Sequence, residues 1–194
     1  MKTKKLNRES TEILVLGAIL TALVVILQLL GSFIRFGAFQ VSLVLIPIVL
    51  GASKCGIKIG AWLGFVFGLV VLLNGDAAPF LAVNVAGTII TVLLKGTLCG
   101  LVAGIVYKSL EKHNGLLAVI AAAFVCPVVN TGVFLLGCLV FFMDTITGWG
   151  AGLGFENVWK YMLLGLVGGN FLFEIATNII LSPALVRVLN LKKK

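Results

Sequence analysis

Charge is scarce in this 194-residue chain, and acid is scarcer than base: seven Asp and Glu stand against fifteen Lys and Arg, and charged residues make up 11% of the whole. A soluble domain carries roughly twice that share. The one histidine, His113, argues against a histidine-built metal site. Cys55, Cys99, Cys126 and Cys138 stand singly, without C-x-x-C spacing. They read as small apolar packing residues, with no metal site or disulfide framework implied. No G-x-x-x-x-G-K-[ST] occurs, so the chain is not its own P-loop ATPase. No nucleophile–histidine arrangement supports an intramembrane enzyme. The two halves also lack the internal repeat that many secondary transporters carry.

What fills the chain instead is apolar. Hydrophobic residues make up 60% of it and the mean hydropathy is +1.18, which describes a polytopic helical membrane protein with little mass outside the bilayer. A net charge of +8 would also suit a nucleic-acid binder. The lysines, however, cluster at the ends of apolar runs, as the positive-inside rule predicts, so the expected partner is the lipid bilayer and not nucleic acid.

In order, residues 1–12 form a basic cytoplasmic head, residues 13–189 a six-helix bundle and residues 190–194 a basic tail, all one integral-membrane domain. The run Ile13–Leu30 is long enough to span and lacks a small-x-small cleavage site, so it reads as a retained helix. Ser32–Phe39 is a first outer loop. A short second helix contains Pro47 and is expected to be kinked or incompletely spanning. Gly56–Leu73 is the third helix, with Gly56, Gly60, Gly64 and Gly68 along one side, a groove that lets another backbone approach closely in lipid. Asn74–Pro79 is a turn cluster. The fourth helix, Val83–Tyr107, carries a second ridge at Gly96, Gly100 and Gly104. Leu116–Phe142 is the fifth, interrupted by Pro127. Asp144–Glu156 reads as the longest outer loop, and Trp159–Leu189 as the sixth helix. With both termini inside, Lys2, Lys4, Lys5, Arg8, Lys54, Lys58, Lys108, Lys112, Arg187 and Lys192–Lys194 all fall on the cytoplasmic side; Arg35 and Lys160 fall outside.

Lys95 is the remaining cation, and it lies within the membrane. A charge at the bilayer centre costs at least about 2.5–3.5 kcal/mol, so such residues mark function or a specific partner. Lys95 and Glu174 lie about eleven and fifteen residues into their helices, near mid-depth at about 1.5 Å per residue. Two readings stand: a structural Lys95–Glu174 pair joining helices four and six, or one or both groups facing a ligand cavity open to the outside. Asn170, Glu174 and Asn178 share one stripe at four-residue spacing, and Asn130 and Thr131 can meet it from helix five. Asn178, the deepest, is expected to pack between helices. The aromatics Phe33, Phe36, Phe39, Phe80, Trp149, Phe155 and Trp159 sit in the outer loops as an interfacial belt, with one or two, Trp149 among them, available to stack on a ligand.

Several stretches together resemble the substrate-binding (S) components of energy-coupling-factor (ECF) vitamin transporters of Gram-positive bacteria. They are Ala18-x-x-x-Ala22 in the first helix, Ser42-Leu-Val-Leu-Ile-Pro47-Ile-Val-Leu-Gly51-Ala before the glycine-rich helix, Pro127-Val-Val-Asn-Thr-Gly-Val-Phe134, and Asn170-x-x-x-Glu174-x-x-x-Asn178. The resemblance runs over nearly the whole chain. It implies an all-α, six-helix protein of the cell membrane that binds a vitamin near the outer face. It further implies that Ala18 and Ala22 dock on a transmembrane coupling subunit served by two cytoplasmic ATPases. ATP is then used by those partners, with no cofactor bound by this chain. Lys95, Asn130, Asn170, Glu174 and Trp149 become the candidate substrate contacts. Riboflavin and folate sites want aromatic planes, and this chain has three Trp and two Tyr; a compact carboxylate such as pantothenate suits a buried lysine. The alternatives are a self-sufficient secondary transporter or channel, and a structural or assembly factor.

Overall fold

The computed structural model describes the backbone of residues 2–33, 35–36, 39–40 and 43–191, and the side chains of 10–31 and 43–187. The first-loop side chains Phe33, Arg35, Phe36 and Phe39, the head cations Lys2, Lys4, Lys5 and Arg8, and Lys192–Lys194 therefore lie outside the described side chains. Apart from a two-residue ladder in which Arg35 opposes Gln40 and Phe36 opposes Phe39, the regular structure of the described residues is helical, joined by short turns.

The helices are α1 (Lys2–Phe33), α2 (Leu45–Lys54), α3 (Ile57–Leu73), α4 (Ala78–Leu81), α5 (Val85–Leu110), α6 (Gly115–Phe141), α7 (Met143–Gly152) and α8 (Val158–Lys160); a π-helical segment, Tyr161–Val167, then leads into α9 (Gly168–Leu191). Among the described residues, four stretches are long and apolar enough to cross a membrane: Ser10–Gly31, Val85–Leu110, Gly115–Phe141 and Val158–Arg187. Leu45–Lys54 and Ile57–Leu73 are shorter apolar helices.

The two glycine ridges explain the centre of the bundle. α3 and α5 pack extensively against each other, and the ridges interlock across their interface. A Cβ on Gly64 would fall on the Gly96 carbonyl oxygen, and one on Gly100 on the Gly60 carbonyl oxygen; one on Gly68 would come within 2.9 Å of the Val92 carbonyl oxygen. Each four-residue step forward on α3 is a four-residue step back on α5, an antiparallel seam of backbone on backbone. Such close approach supplies the packing that apolar burial cannot supply in lipid. Gly56 departs from this pattern. It caps α3 with φ +95°, and nothing lies within 4 Å of where its Cβ would be, so its role is the left-handed turn that only glycine adopts without strain.

α2 is the hub. Leu45 through Ala52 are all buried, and an all-round apolar helix of this kind belongs inside a bundle. Pro47 sits in its first turn, where a missing N–H costs nothing, so it starts the helix instead of kinking it. Asn84 and Asn114 cap α5 and α6, each side-chain oxygen accepting from backbone N–H groups of the first turn, Gly87 at 2.8 Å and Leu116 at 3.0 Å.

Further sequence expectations need correction: α6 runs from Gly115 to Phe141 straight through Pro127, which does not interrupt it. Much of Asp144–Glu156 is the helix α7, not a loop. Its glycines disfavour a helix, but fully buried Ile146 anchors it, and Gly150 lets the Tyr161 ring pack 3.1 Å from its Cβ position. Tertiary packing overrides propensity here. The last helix is also not continuous α: its first part is α8 and the π segment, ending at Val167.

Candidate functional site

Where α5 runs beside α3 and α6, the residues flanking the glycine seam turn toward a cavity of about 220 Å³. Gly96 faces the seam; Lys95, one position back, is rotated away from it and lines the cavity together with Thr88, Thr91 and Val92. Spacings of three and four place those residues on one face of α5. α3 contributes Phe67 and Val71, and α6 contributes Asn130, Thr131 and Phe134. Asn170 and Glu174 enter from α9. Four sequence-predicted site residues, Lys95, Asn130, Asn170 and Glu174, thus converge on one space.

The Lys95 ammonium lies 5.4 Å from the centre of the Phe67 ring and 5.5 Å from that of Phe134. Among the described residues no ion pair joins it to Glu174, which shares the cavity wall and is itself buried. The cation lies over two aromatic faces, an arrangement attractive through the ring quadrupoles.

Two further polar groups point the same way. Asn130 is 7% exposed and Thr91 5%, yet Asn130 Oδ1 and Thr91 Oγ1 have no hydrogen-bond partner. Buried polar atoms are normally paired. The contrast with other helical threonines is direct: Thr88 donates to the Asn84 carbonyl at 2.7 Å and Thr97 to the Leu93 carbonyl at 2.7 Å. Thr91 does not satisfy itself in this way. It lies against Gly137, where a Cβ would collide with its side chain.

The segment between α3 and α5 closes one side. Asp76 Oδ2 accepts hydrogen bonds from Gln28 Nε2 of α1 and from Asn74 Nδ2, both at 2.8 Å. Phe80 from the same segment meets Phe134, Phe142 and Trp149 edge-on, at centroid distances of 5.5, 5.1 and 5.4 Å. Trp149 therefore does not line the cavity; it buttresses Phe80, which does. Asn178 lies below the cavity, fully buried, donating to the Glu174 carbonyl at 2.9 Å. Ala18 and Ala22 are remote from the cavity, on the exposed face of α1.

Sequence reasoning missed Thr91, Phe67, Gln28 and Asp76. Thr91 stands four residues before Lys95 on the same helix face, which was a usable signal; one phenylalanine among thirteen was not. Among the described residues no three His, Cys, Asp or Glu side chains converge as a metal site requires. A cation, a carboxylate, two unpartnered oxygens and an aromatic wall are the kinds of group that contact a small polar solute. A family model described as "ECF transporter, substrate-specific component" matches residues 13–186. Neither a curated protein nor a solved structure matches the chain.

Proposed function

Because the chain belongs to the family of substrate-specific components of ECF transporters, it is a membrane-embedded substrate-binding subunit, and we propose that its solute is a compact hydroxylated carboxylate of the vitamin class, with pantothenate the favoured candidate. The observation that carries this is the Lys95 ammonium, lying over two rings and free of an ion pair with Glu174, beside the unpartnered oxygens of Asn130 and Thr91. A carboxylate satisfies the ammonium. Hydroxyl and amide groups satisfy Asn130, Thr91 and Asn170. At about 220 Å³ the cavity falls below the usual range for drug-sized ligands, which favours a small solute over riboflavin or folate.

In this reading the chain crosses the membrane six times with both termini cytoplasmic. α3, at seventeen residues, reaches about 25 Å, and α2 is an incomplete span completed by its neighbours. The exposed face of α1 bearing Ala18 and Ala22 docks on the transmembrane coupling subunit, and two ATPases on that subunit use ATP. The test is uptake of labelled pantothenate into proteoliposomes. Uptake is expected when the chain is combined with an ECF module and ATP, and is expected to be absent with the chain alone. Uptake by the chain alone, driven by an ion gradient, contradicts the proposal and identifies a secondary carrier.

A further inference from the structure

The lining of the cavity includes two acids, Asp76 and Glu174, and a single ammonium, Lys95. The acids stand differently. Asp76 already accepts hydrogen bonds from Gln28 and Asn74, both at 2.8 Å. Glu174 is buried in α9, yet among the described residues its carboxylate accepts no hydrogen bond and joins no ion pair. The bonds made at this residue, from Thr177 at 3.2 Å and Asn178 at 2.9 Å, go to its backbone carbonyl. Asn170, one turn earlier on the same helix face, lines the same space without donating to it.

Unlike the sealed oxygens of Asn178 and Ser182 further along α9, the Glu174 carboxylate opens on the cavity. An ionised carboxylate only accepts hydrogen bonds, whereas a threonine hydroxyl and an asparagine amide both donate and accept. Thr91, Asn130 and Asn170 can therefore turn to suit either kind of solute group. Glu174 cannot, and leaving it without donors in a buried site is costly. Lys95 neutralises one carboxylate of a solute. A second would meet Glu174 with no cation in the lining left to offset it.

We propose that Glu174 is the specificity-determining residue of this cavity. It accepts hydrogen bonds from hydroxyl or N–H groups of the solute away from the carboxylate that Lys95 takes, and it rejects a second carboxylate. The substrate class is thereby narrowed to monocarboxylates that carry donors. This rests on the reading of the solute as a carboxylate held by Lys95.

Titration of the purified chain at neutral pH with three probes tests it. Pantothenate has one carboxylate together with hydroxyl groups and an amide; glutarate has a carboxylate at each end and no other donor; hexanoate has one carboxylate and an apolar tail. Wild-type protein is expected to bind pantothenate at least about a hundredfold more tightly than either of the others. Glu174→Gln keeps the shape of the side chain, removes its charge and offers an N–H to an anion. It should weaken pantothenate about tenfold, strengthen glutarate, and so lower the preference between them by more than about tenfold. A residue that only supports packing would weaken all three probes together and leave their ratios unchanged. Glutarate or hexanoate bound by the wild type as tightly as pantothenate, or an unchanged ratio in Glu174→Gln, overturns the proposal while leaving the carboxylate at Lys95 in place. The wild-type comparison decides this whether or not the variant folds. Binding of none of the three probes by the wild type contradicts the carboxylate reading itself, and the role of Glu174 falls with it.

Discussion

Replacing Lys95 with methionine separates the two roles a buried lysine can play. Methionine keeps an unbranched apolar stem beside Phe67 and Phe134 and removes only the charge. If the ammonium binds a solute carboxylate, a charge-assisted hydrogen bond worth about 1.5–3 kcal/mol disappears, which weakens binding by about 10- to 150-fold. Stability should respond differently. Breaking a buried ion pair costs about 3–5 kcal/mol, because it strands the partner; no such pair joins Lys95 to Glu174 among the described residues. What the fold loses is two cation–π contacts, at 5.4 and 5.5 Å, each worth about 0.5–2 kcal/mol. Against that loss stands relief from burying an ammonium, itself several kcal/mol. The balance predicts unchanged or higher thermal stability in detergent. Titration calorimetry with pantothenate and a melting curve read the two effects separately. Full affinity in Lys95→Met would remove Lys95 from the site; full affinity with a collapse in stability would establish a structural ion and refute the reasoning.

Thr91→Val keeps the shape of the side chain while deleting its unpartnered hydroxyl. Pantothenate affinity should fall about 3- to 10-fold, the net worth of one hydrogen bond, while the unliganded protein melts no lower than wild type. Gly64→Leu places side-chain atoms on the Gly96 carbonyl, where both neighbours are backbone and cannot yield. The cost should exceed the roughly 1–3 kcal/mol of ordinary overpacking and appear as loss of the monodisperse peak in size-exclusion chromatography. Gly132→Leu, with open space around the position, should elute normally. Ala18→Trp should bind solute with wild-type affinity yet fail in ATP-driven uptake; normal uptake by that variant would place docking elsewhere.

The parts of this protein that were legible in its sequence are those where chemistry violates its surroundings. Lys95, Asn130, Asn170 and Glu174 stand out because polar groups are costly in apolar helices, and all four reach one cavity. The glycine ridges were legible as ridges because their four-residue period survives in any helix. That they interlock with each other, Gly64 on Gly96 and Gly60 on Gly100, is a matter of register between two helices, which no single-helix pattern contains. Thr91 escaped notice because a helical threonine ordinarily bonds its own backbone, as Thr88 and Thr97 do. α7 read as a loop because its glycines weigh against a helix, and the Ile146 and Tyr161 contacts that hold it are long-range.

The most direct test of the central claim is mass spectrometry of small molecules released when the purified chain is denatured. A substrate-binding subunit with this cavity should release one solute in near-stoichiometric amount, a compact carboxylate bearing hydroxyl or amide groups, and Lys95→Met should release almost none. A stoichiometric solute lacking any anionic group, or equal release from Lys95→Met, would contradict the account.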